Sequence, residues 1–396
     1  MDIVEEHFDE LDFLWEHREA NVFTPDWTLH DLAQHEERME AHLDGLRIAG
    51  EAGRELVRDR LEADEPSAAT AAGLVLLSGS APRDVDLVLD HFAGGDDAVV
   101  DGIRVALRHH GIDGIGDRVR ELAAGEAELP AVCACDVLAF HRVASFAGAR
   151  FLGSEEPLVR RLALGALGRT GQLALDQVAD ALEDAEPEVR RAALGEAARA
   201  RVGGFVDLCR SAALRATDPD PECVRFLGAL SLPGDGELLR AALDRPEIAA
   251  DVVVALGASG RAENVPLLLE LMDDGALGPD AVRAYRRLTG ADDLEGHLPV
   301  PREEVAEGED EREVLPPDPE KARADWARRR DETDGSALLQ SGFVLEPDRL
   351  PSAFPMLTLE SRRDVYLRAR FVGDGSVADL ELEAPAVRQG APRSGP

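Results

Sequence analysis

Lysine and aromatic residues are scarce in this sequence. Lys321 is the single lysine among 43 basic residues, and aromatic residues make up 4% of the 396. Acidic residues number 79, so the formal net charge is −36. Nucleic-acid binding depends on cationic groups that displace counterions from phosphates, so this charge predicts that nucleic acid is not a partner. An anionic membrane surface is disfavoured for the same reason.

Long apolar runs and a disulfide framework are also missing. No run approaches the roughly 20 apolar residues of a membrane helix, and the acidic first six residues contain no apolar signal region. The four cysteines are too few for disulfides to hold together a chain of this length. We therefore expect a cytoplasmic protein. Low lysine is typical of a GC-rich genome and acidity suits a cytoplasm of high salt, so neither requires an acidic binding patch.

Residues 1–64 are predicted to form an N-terminal helical cap. Apolar residues recur at three- and four-residue steps over residues 4–22, which is the period of an amphipathic helix. Thr24-Pro25-Asp26 ends this helix, and Thr28 can cap a second one, with Asp31 three residues further on. The spacing in the second helix predicts that the two pack as an antiparallel hairpin. A third, short helix completes the cap.

Residues 65–290 repeat themselves, which is the strongest signal in the sequence. An acid followed by proline, or an equivalent acidic pair, opens a helix at intervals that average about 30 residues. Proline is favoured in the first helical turn because its missing N–H has no partner there, and a preceding acid complements the helix dipole. The openings are Pro66, Asp97, Pro130, Pro157, Pro187, Pro221, Pro246 and Pro279.

The interior of the repeats agrees with these openings. The run VRRLALGALGR at residues 159–169 returns as VRRAALG at residues 189–195, and more loosely at residues 227–230 and 254–261. Each of the eight or so units is predicted to be a helix, a turn that contains glycine, and a second helix. Neither helix can bury its apolar stripe alone, so the units must stack. The sequence therefore predicts an all-α helical-repeat solenoid with a curved surface.

Beyond residue 290 the repeat fades. Residues 291–320 are predicted to be an acidic, proline-containing linker. Residues 321–396 are predicted to form a small C-terminal region, with one helix around Trp326 and then two short helices with loops. The alternating apolar residues between 365 and 371 suit a strand equally well. The tail at residues 390–396 is expected to be disordered.

The repeats carry a resemblance to a known repeat class. Residues 159–171 resemble the HEAT-type repeat that is shared with phycobilin-lyase subunits. The resemblance implies a HEAT-like solenoid, with the N-terminal hairpin and the small C-terminal region as extensions. Because short repeats are shared by unrelated functions, it implies the fold more strongly than the activity.

The whole chain further resembles a family of uncharacterised bacterial HEAT-repeat proteins. Members of that family are often encoded near contractile secretion machinery of the type VI kind, which implies an adaptor role. The family supplies no catalytic residues, and its paired arginines before an Ala-rich helix are only partly kept around residues 359–371. The resemblance is carried by His7-Phe8, Phe13-Leu14-Trp15, Arg18, Thr28-Leu29, Leu32, residues 36–46, residues 315–320, Trp326 and residues 384–389.

One set of residues has the composition of a metal site: His109-His110, Cys133, Cys135 and His141. Aligning neighbouring repeats places His109 and His141 at matching positions, about 10 Å apart by helix packing distance. However, Cys133 and Cys135 are two apart on a helix and point to different sides, whereas tetrahedral zinc needs convergent ligands. We therefore interpret the cysteines as small buried hydrophobes and predict no metal site.

Arginine recurs three or four residues after the helix opening in several repeats. One interpretation is an anion-binding row along one face. The other pairs each arginine with acids of an adjacent unit, such as Asp184 or Glu186, in a ladder of salt bridges. With 79 acids available we prefer the ladder. The arginines concerned are Arg160, Arg161, Arg190, Arg191, Arg225 and Arg283.

Motifs that indicate catalysis are not found. Gly165-x-x-Gly168 and Gly257-x-x-Gly260 follow no strand and precede no lysine, so they do not indicate a phosphate loop, and Gly168 and Gly260 are predicted to cap helices. No nucleophile elbow and no His-Glu-x-x-His helix occurs. We therefore predict that the chain is not an enzyme, and that it has no catalytic, cofactor-binding or metal-binding residues and no cofactor.

Two functions are compatible with these patterns. We prefer a scaffold or adaptor that binds another protein through the concave face of the array, between about residues 66 and 290, because solenoid surfaces mostly bind proteins or peptides. The alternative, implied by the phycobilin-lyase resemblance, is a chromophore-lyase-like enzyme or chaperone. An absorbance scan separates the two, because a bound tetrapyrrole absorbs visible light.

The charge imbalance generates a prediction about salt. With a net charge of −36, like-charge repulsion destabilises the folded chain most in dilute buffer, where the Debye length is about 30 Å at roughly 0.01 M salt. We expect the melting temperature, followed by circular dichroism, to rise substantially between dilute buffer and molar NaCl. An unchanged or lower melting temperature would show that arginines already compensate the acids in the folded state.

Overall fold

The computed structural model describes residues 3–61, 65–79, 81–143, 148–292, 294–299, 312–331, 333–335, 337–346, 350–373 and 380–390. The chain divides into two compact units. Unit 1 comprises residues 1–208, 358–363 and 370–396, and unit 2 comprises residues 209–357 and 364–369. The division therefore falls inside the predicted array, whose own boundaries stay predictions.

Unit 1 consists of an N-terminal helical hairpin followed by stacked helix pairs. Helices α4, α6, α8, α9 and α11 pack side by side in chain order, and α5, α7 and α10 pack against them. Each helix pair is one repeat, as predicted. The helices are α1 (Ile3–Asn21), α2 (Leu29–Ile48), α3 (Glu51–Arg60), α4 (Pro66–Ser78), α5 (Pro82–Gly94), α6 (Asp97–His110), α7 (Gly116–Ala123), α8 (Glu128–Phe140), α9 (Pro157–Arg169), α10 (Leu175–Ala181) and α11 (Pro187–Ala200).

Unit 2 continues the same pattern, with α13, α15 and α17 side by side and α14 and α16 packed on them. In the described part of the chain, no helix is both long and apolar enough to cross a membrane. The elements are α13 (Pro221–Leu230), α14 (Asp235–Ala242), α15 (Ala249–Ala258), α16 (Val265–Leu271), α17 (Gly278–Thr289), β1 (Glu295–Pro299), β2 (Arg312–Pro317), α18 (Pro319–Arg329), β3 (Leu339–Gln340), β4 (Phe343–Val344) and α19 (Leu350–Ala353). Helices α12 (Phe205–Ala213) and α20 (Leu359–Val372) contain residues assigned to both units.

The predicted helix starts are confirmed. Thr28 caps α2 in a capping box: its hydroxyl accepts from the backbone N–H of Asp31, and the Asp31 carboxylate accepts from the backbone N–H of Thr28 at 2.9 Å. Five of the eight predicted repeat openings are the first residue of a helix, and those of α8, α15 and α17 lie within three residues of one. The fold class, an all-α HEAT-like helical-repeat solenoid, is therefore confirmed.

The region after the repeats differs from its prediction. The predicted linker, residues 291–320, contains the antiparallel strands β1 and β2, whose Cα partners run from Glu295 with Pro317 to Pro299 with Arg312. The most acidic part of that linker and the predicted disordered tail lie largely outside the described residues. After α18 the chain forms two helices, α19 and α20, as predicted, and residues 365–371 belong to α20 rather than to a strand.

Glycines in the repeated motif allow neighbouring helices to approach closely. A Cβ atom on Gly228 would lie 2.2 Å from the carbonyl oxygen of Ala255, and one on Gly257 would lie 2.7 Å from the Cα atom of Ala284. The prediction for Gly168 is wrong, because it lies inside α9, where a Cβ would meet the side chain of Glu196. Gly260 does follow a helix end, with φ of 72°.

This close approach predicts the effect of adding one methyl group. Gly228→Ala pushes a Cβ into the backbone of the next helix, and overpacking of this kind costs about 1–3 kcal/mol. Gly195 is also a helical glycine, but a Cβ there has open space, so Gly195→Ala should stabilise the chain by about 0.5–1 kcal/mol through helix propensity. Urea unfolding of both variants checks this, and an equal effect of the two would contradict the close packing.

Candidate binding surface

Four arginines of unit 1 lie in or just after the last turn of the first helix of a repeat, and a fifth, Arg104, lies one turn before Arg108. Cations are favourable at this end of a helix because of the helix dipole. On α6, Arg104 and Arg108 are four residues apart and share one face. We call the set the arginine face: Arg104 and Arg108 of α6, Arg142 just after α8, Arg169 of α9, and Arg199 of α11.

Asp136 of α8 holds the centre of the arginine face. Its carboxylate lies 3.0 Å from Nη1 of Arg104 and 2.8 Å from Nη1 of Arg169, with Arg108 at 3.8 Å. Its side chain is only 1% exposed. Burial alone would raise the pKa of Asp136, but the three guanidinium groups outweigh it and hold that pKa far below its usual range. Asp136 is therefore a permanent buried anion.

The charge of Arg108 is less well balanced. Burial lowers the pKa of Arg108 to about 9, against the opposing attraction of Asp136 and with repulsion from Arg169 and Arg104. Its guanidinium group lies 4.3 Å from the centre of the Phe140 ring and forms an ion pair with Glu383. With a pKa of about 9, Arg108 remains charged at neutral pH. Because Asp136 is shared with Arg104 and Arg169, Arg108 requires a second anion.

Residues 380–390 supply that anion by lying across the arginine face. Glu381 contacts Arg199 at 2.7 Å, Arg142 at 3.0 Å and Arg169 at 3.1 Å. Burial by itself raises the pKa of Glu381, but these guanidinium groups together lower it below its ordinary value. Glu383 contacts Arg108 and lies 3.5 Å from Arg169.

The main chain of the same segment is bound as well. Nη2 of Arg18 donates to the carbonyl oxygen of Glu383 at 3.0 Å, and Nε of Arg18 forms an ion pair with Glu36 at 2.8 Å. The Glu36 carboxylate accepts in turn from the backbone N–H of Ala386 at 2.7 Å. Arg388 donates to the carbonyl oxygen of His109 at 2.8 Å. The segment thus extends from α11 to the N-terminal hairpin.

Two arginines occupy backbone positions that usually favour glycine. Arg142 and Arg201 follow α8 and α11 with φ of 60° and 56°, and both close a Schellman motif. At the same position after α9 the residue is Gly171, with φ of 68°. A left-handed conformation costs a non-glycine residue about 1–2 kcal/mol. Arg142 uses this position to reach Glu381.

The structure gives the candidate metal residues separate surroundings. His109 packs edge-on against Trp15 at 4.8 Å, and Nε2 of His141 lies 2.9 Å from the carbonyl oxygen of Leu107. Cys133 and Cys135 are fully buried in α8, and burial raises the pKa of the Cys133 thiol. Within the described ranges, no three His, Cys, Asp or Glu residues are arranged to hold a metal ion.

The predicted arginine ladder is present for several of its members. Arg160 forms a two-pronged ion pair with Asp184 of the next repeat at 2.6 and 2.8 Å, and Arg225 pairs with Asp251 at 2.5 Å. Arg161 lies 3.9 Å from Glu188. Two other members make different contacts: Arg190 donates to the carbonyl oxygens of residues 184 and 185, and Arg283 pairs with Asp280 of its own helix.

The arginine face was not predicted from the sequence, because the arginines considered there were those three or four residues after each helix opening. The arginines of the face lie further along the same helices or just after them. One signal was available: Asp136 is the only charged residue between 129 and 140, in an otherwise apolar run. A buried carboxylate in such a helix must have cationic partners. The acids at residues 381 and 383 are far away in sequence and give no comparable signal.

Comparisons with known proteins add little beyond the fold. No protein family and no curated protein matches the chain by sequence. Among solved structures, it is similar to YibA of Escherichia coli at 15% identity, over 59% of this chain and 92% of that one, with a TM-score of 0.40. It is also similar to human deoxyhypusine hydroxylase, solved in complex with glycerol, at 16% identity over 64% and 97% of the two chains, with a TM-score of 0.23.

The second of these structures corrects one prediction. We predicted that the chain is not an enzyme, since no catalytic motif was found in a helical-repeat sequence. A hydroxylase among the similar structures contradicts that prediction. At these identities and TM-scores the similarity assigns no reaction to this chain.

The buried centre of the arginine face generates a prediction about stability. Asp136→Asn removes the anion shared by three arginines and leaves buried positive charge, which typically costs about 3–5 kcal/mol. Asp101→Asn removes a partner of the same Arg104, 2.8 Å away but 25% exposed, and should cost less than about 1 kcal/mol. Chemical denaturation measures both free energies of unfolding. Similar losses for the two variants would contradict the central role of Asp136.

Proposed function

We propose that this protein is an adaptor that binds another protein through the arginine face of unit 1. One observation carries the proposal: the face already holds a stretch of polypeptide by its carboxylates and by its main chain. Arginine is among the residues that most often dominate the energy of protein interfaces. The proposal narrows the predicted binding region, residues 66–290, to the ends of α6, α8, α9 and α11.

The cellular setting of this adaptor forms a second part of the proposal. An association with type VI-like secretion machinery rests on the resemblance to the bacterial HEAT-repeat family. A cytoplasmic location is supported by the four cysteines, which are buried and not joined in disulfides. Burial raises the pKa of Cys133 and Cys209, so their reactive thiolate forms are suppressed. Fractionation of the native host tests the location, and recovery outside the cytoplasmic fraction would exclude it.

The adaptor proposal is tested by reversing one charge on the arginine face. Arg142→Glu places a carboxylate beside the Glu381 position at an exposed residue. We expect the full-length variant, used as bait in its native host, to recover at least about tenfold less of the partner than the unmodified chain does, since like charges across an interface are strongly unfavourable. Quantitative mass spectrometry gives the ratio.

The matched control is Arg201→Glu. Arg201 has the same left-handed backbone and the same position after a first helix, but its guanidinium group bonds the carbonyl oxygen of Arg370 instead of Glu381. Both substitutions therefore impose the same charge reversal on a similar local structure. Partner recovery should survive the control, and equal recovery by Arg142→Glu and the unmodified chain would reject the arginine face as the binding surface.

A further inference from the structure

We infer that the arginine face binds a short acidic segment of the partner protein, and that residues 380–390, which form a turn followed by a 3-10 helical turn, are an internal copy of this ligand that the partner displaces. The inference rests on the proposed adaptor function, since it names the ligand of the same surface. Its elements are the bonds to the main chain of the segment, the burial of its apolar side chains and the ion pairs of its two acids.

The bonds to the main chain identify the ligand as polypeptide. Arg18 donates to consecutive carbonyl oxygens of residues 383 and 384, at 3.0 and 3.5 Å. Glu36 accepts from the backbone N–H of Ala386. An acceptor placed for a backbone amide has no counterpart on the phosphate backbone of a nucleic acid, which would be repelled by Glu36 instead. The surface is therefore suited to a peptide.

The side chains of the segment define a pattern. Leu382, between the two acids, is 7% exposed, and Ala384 and Ala386 are 5% and 0% exposed. Glu381 and Glu383, the residues before and after Leu382, both form ion pairs with arginines of the face and share Arg169. A partner segment that replaces this one should therefore carry two acids separated by one apolar residue, followed by small residues.

The two acids of the segment make its charged contacts with the arginine face. Glu381 forms ion pairs with Arg199, Arg142 and Arg169, and Glu383 forms ion pairs with Arg108 and Arg169. A ligand that replaces the segment should therefore supply two carboxylates at these positions.

Residues 380–390 compete more strongly than a free peptide because they are covalently attached to the same chain. A tethered ligand acts at an effective concentration on the order of millimolar, so a free segment with the same contacts binds weakly until the internal one is released. Replacing Glu381 and Glu383 by glutamine weakens the binding of residues 380–390 to the arginine face and leaves the arginines unchanged. Affinity for an external acidic peptide should then increase.

The experiment uses a fluorescent peptide with the sequence of residues 380–390, LELEAPAVRQG, and the full-length chain. We expect Glu381→Gln/Glu383→Gln to bind this peptide at least about tenfold more tightly than the unmodified chain does, measured by fluorescence anisotropy, which corresponds to ~1.4 kcal/mol. Adding Arg142→Glu to the double variant should abolish the gain. The same peptide with both glutamates replaced by glutamine should bind to none of the proteins.

The matched control is Glu126→Gln/Glu128→Gln, which removes two exposed glutamates of the same spacing away from the arginine face. It should leave peptide affinity unchanged. Circular dichroism establishes that each variant is folded, and hydrogen exchange reports release of residues 380–390 independently: their amides should exchange faster in the Glu381→Gln/Glu383→Gln variant.

Three outcomes would overturn the inference. Equal peptide affinity of the unmodified chain and the double variant would show that residues 380–390 do not compete. No binding by a folded double variant would reject the acidic segment as the ligand. Tighter binding of a single-stranded oligonucleotide than of the peptide would assign the face to nucleic acid. The adaptor proposal fails separately, by partner recovery that is insensitive to Arg142→Glu.

Discussion

The buried carboxylate of Asp136 is the constraint on which the arginine face depends. A charge removed from water needs close partners of opposite sign, and three neighbouring helices provide them as Arg104, Arg108 and Arg169. One anion cannot neutralise three cations. The excess positive charge is carried toward the surface, where it attracts further carboxylates. A requirement of the core thereby creates a polar surface, covered by residues 380–390, on an Ala- and Leu-rich array.

The sequence predicts the helices far better than it predicts this surface. The capping box of Thr28 and Asp31 and the acid-proline openings are local patterns, so their physical causes lie within a few residues of each other. The contact between Arg199 and Glu381 joins residues 182 apart, and no period or motif encodes it. Residues 365–371 alternate as a strand would, yet they form part of α20, because neighbouring packing overrides a short local pattern.

The net charge of −36 does not describe the electrostatic environment close to the arginine face. At physiological salt, charges are screened over about 8 Å, so a ligand at the arginine face responds to the guanidinium groups beside it more than to distant acids. Partly buried ion pairs are screened still less. An overall excess of acids is therefore compatible with arginines that attract carboxylates locally.

Arg142 and Arg201, which adopt the left-handed backbone conformation, predict a pattern of substitutions in related sequences. At residues 142 and 201 glycine would adopt the left-handed conformation at a lower energetic cost, so selection for stability favours glycine unless the guanidinium group is itself required. Lineages that have lost the ligand should accumulate glycine at residue 142, and the acids at residues 381 and 383 should decay with it. Joint loss of these residues would then mark when an ancestor gave up its partner.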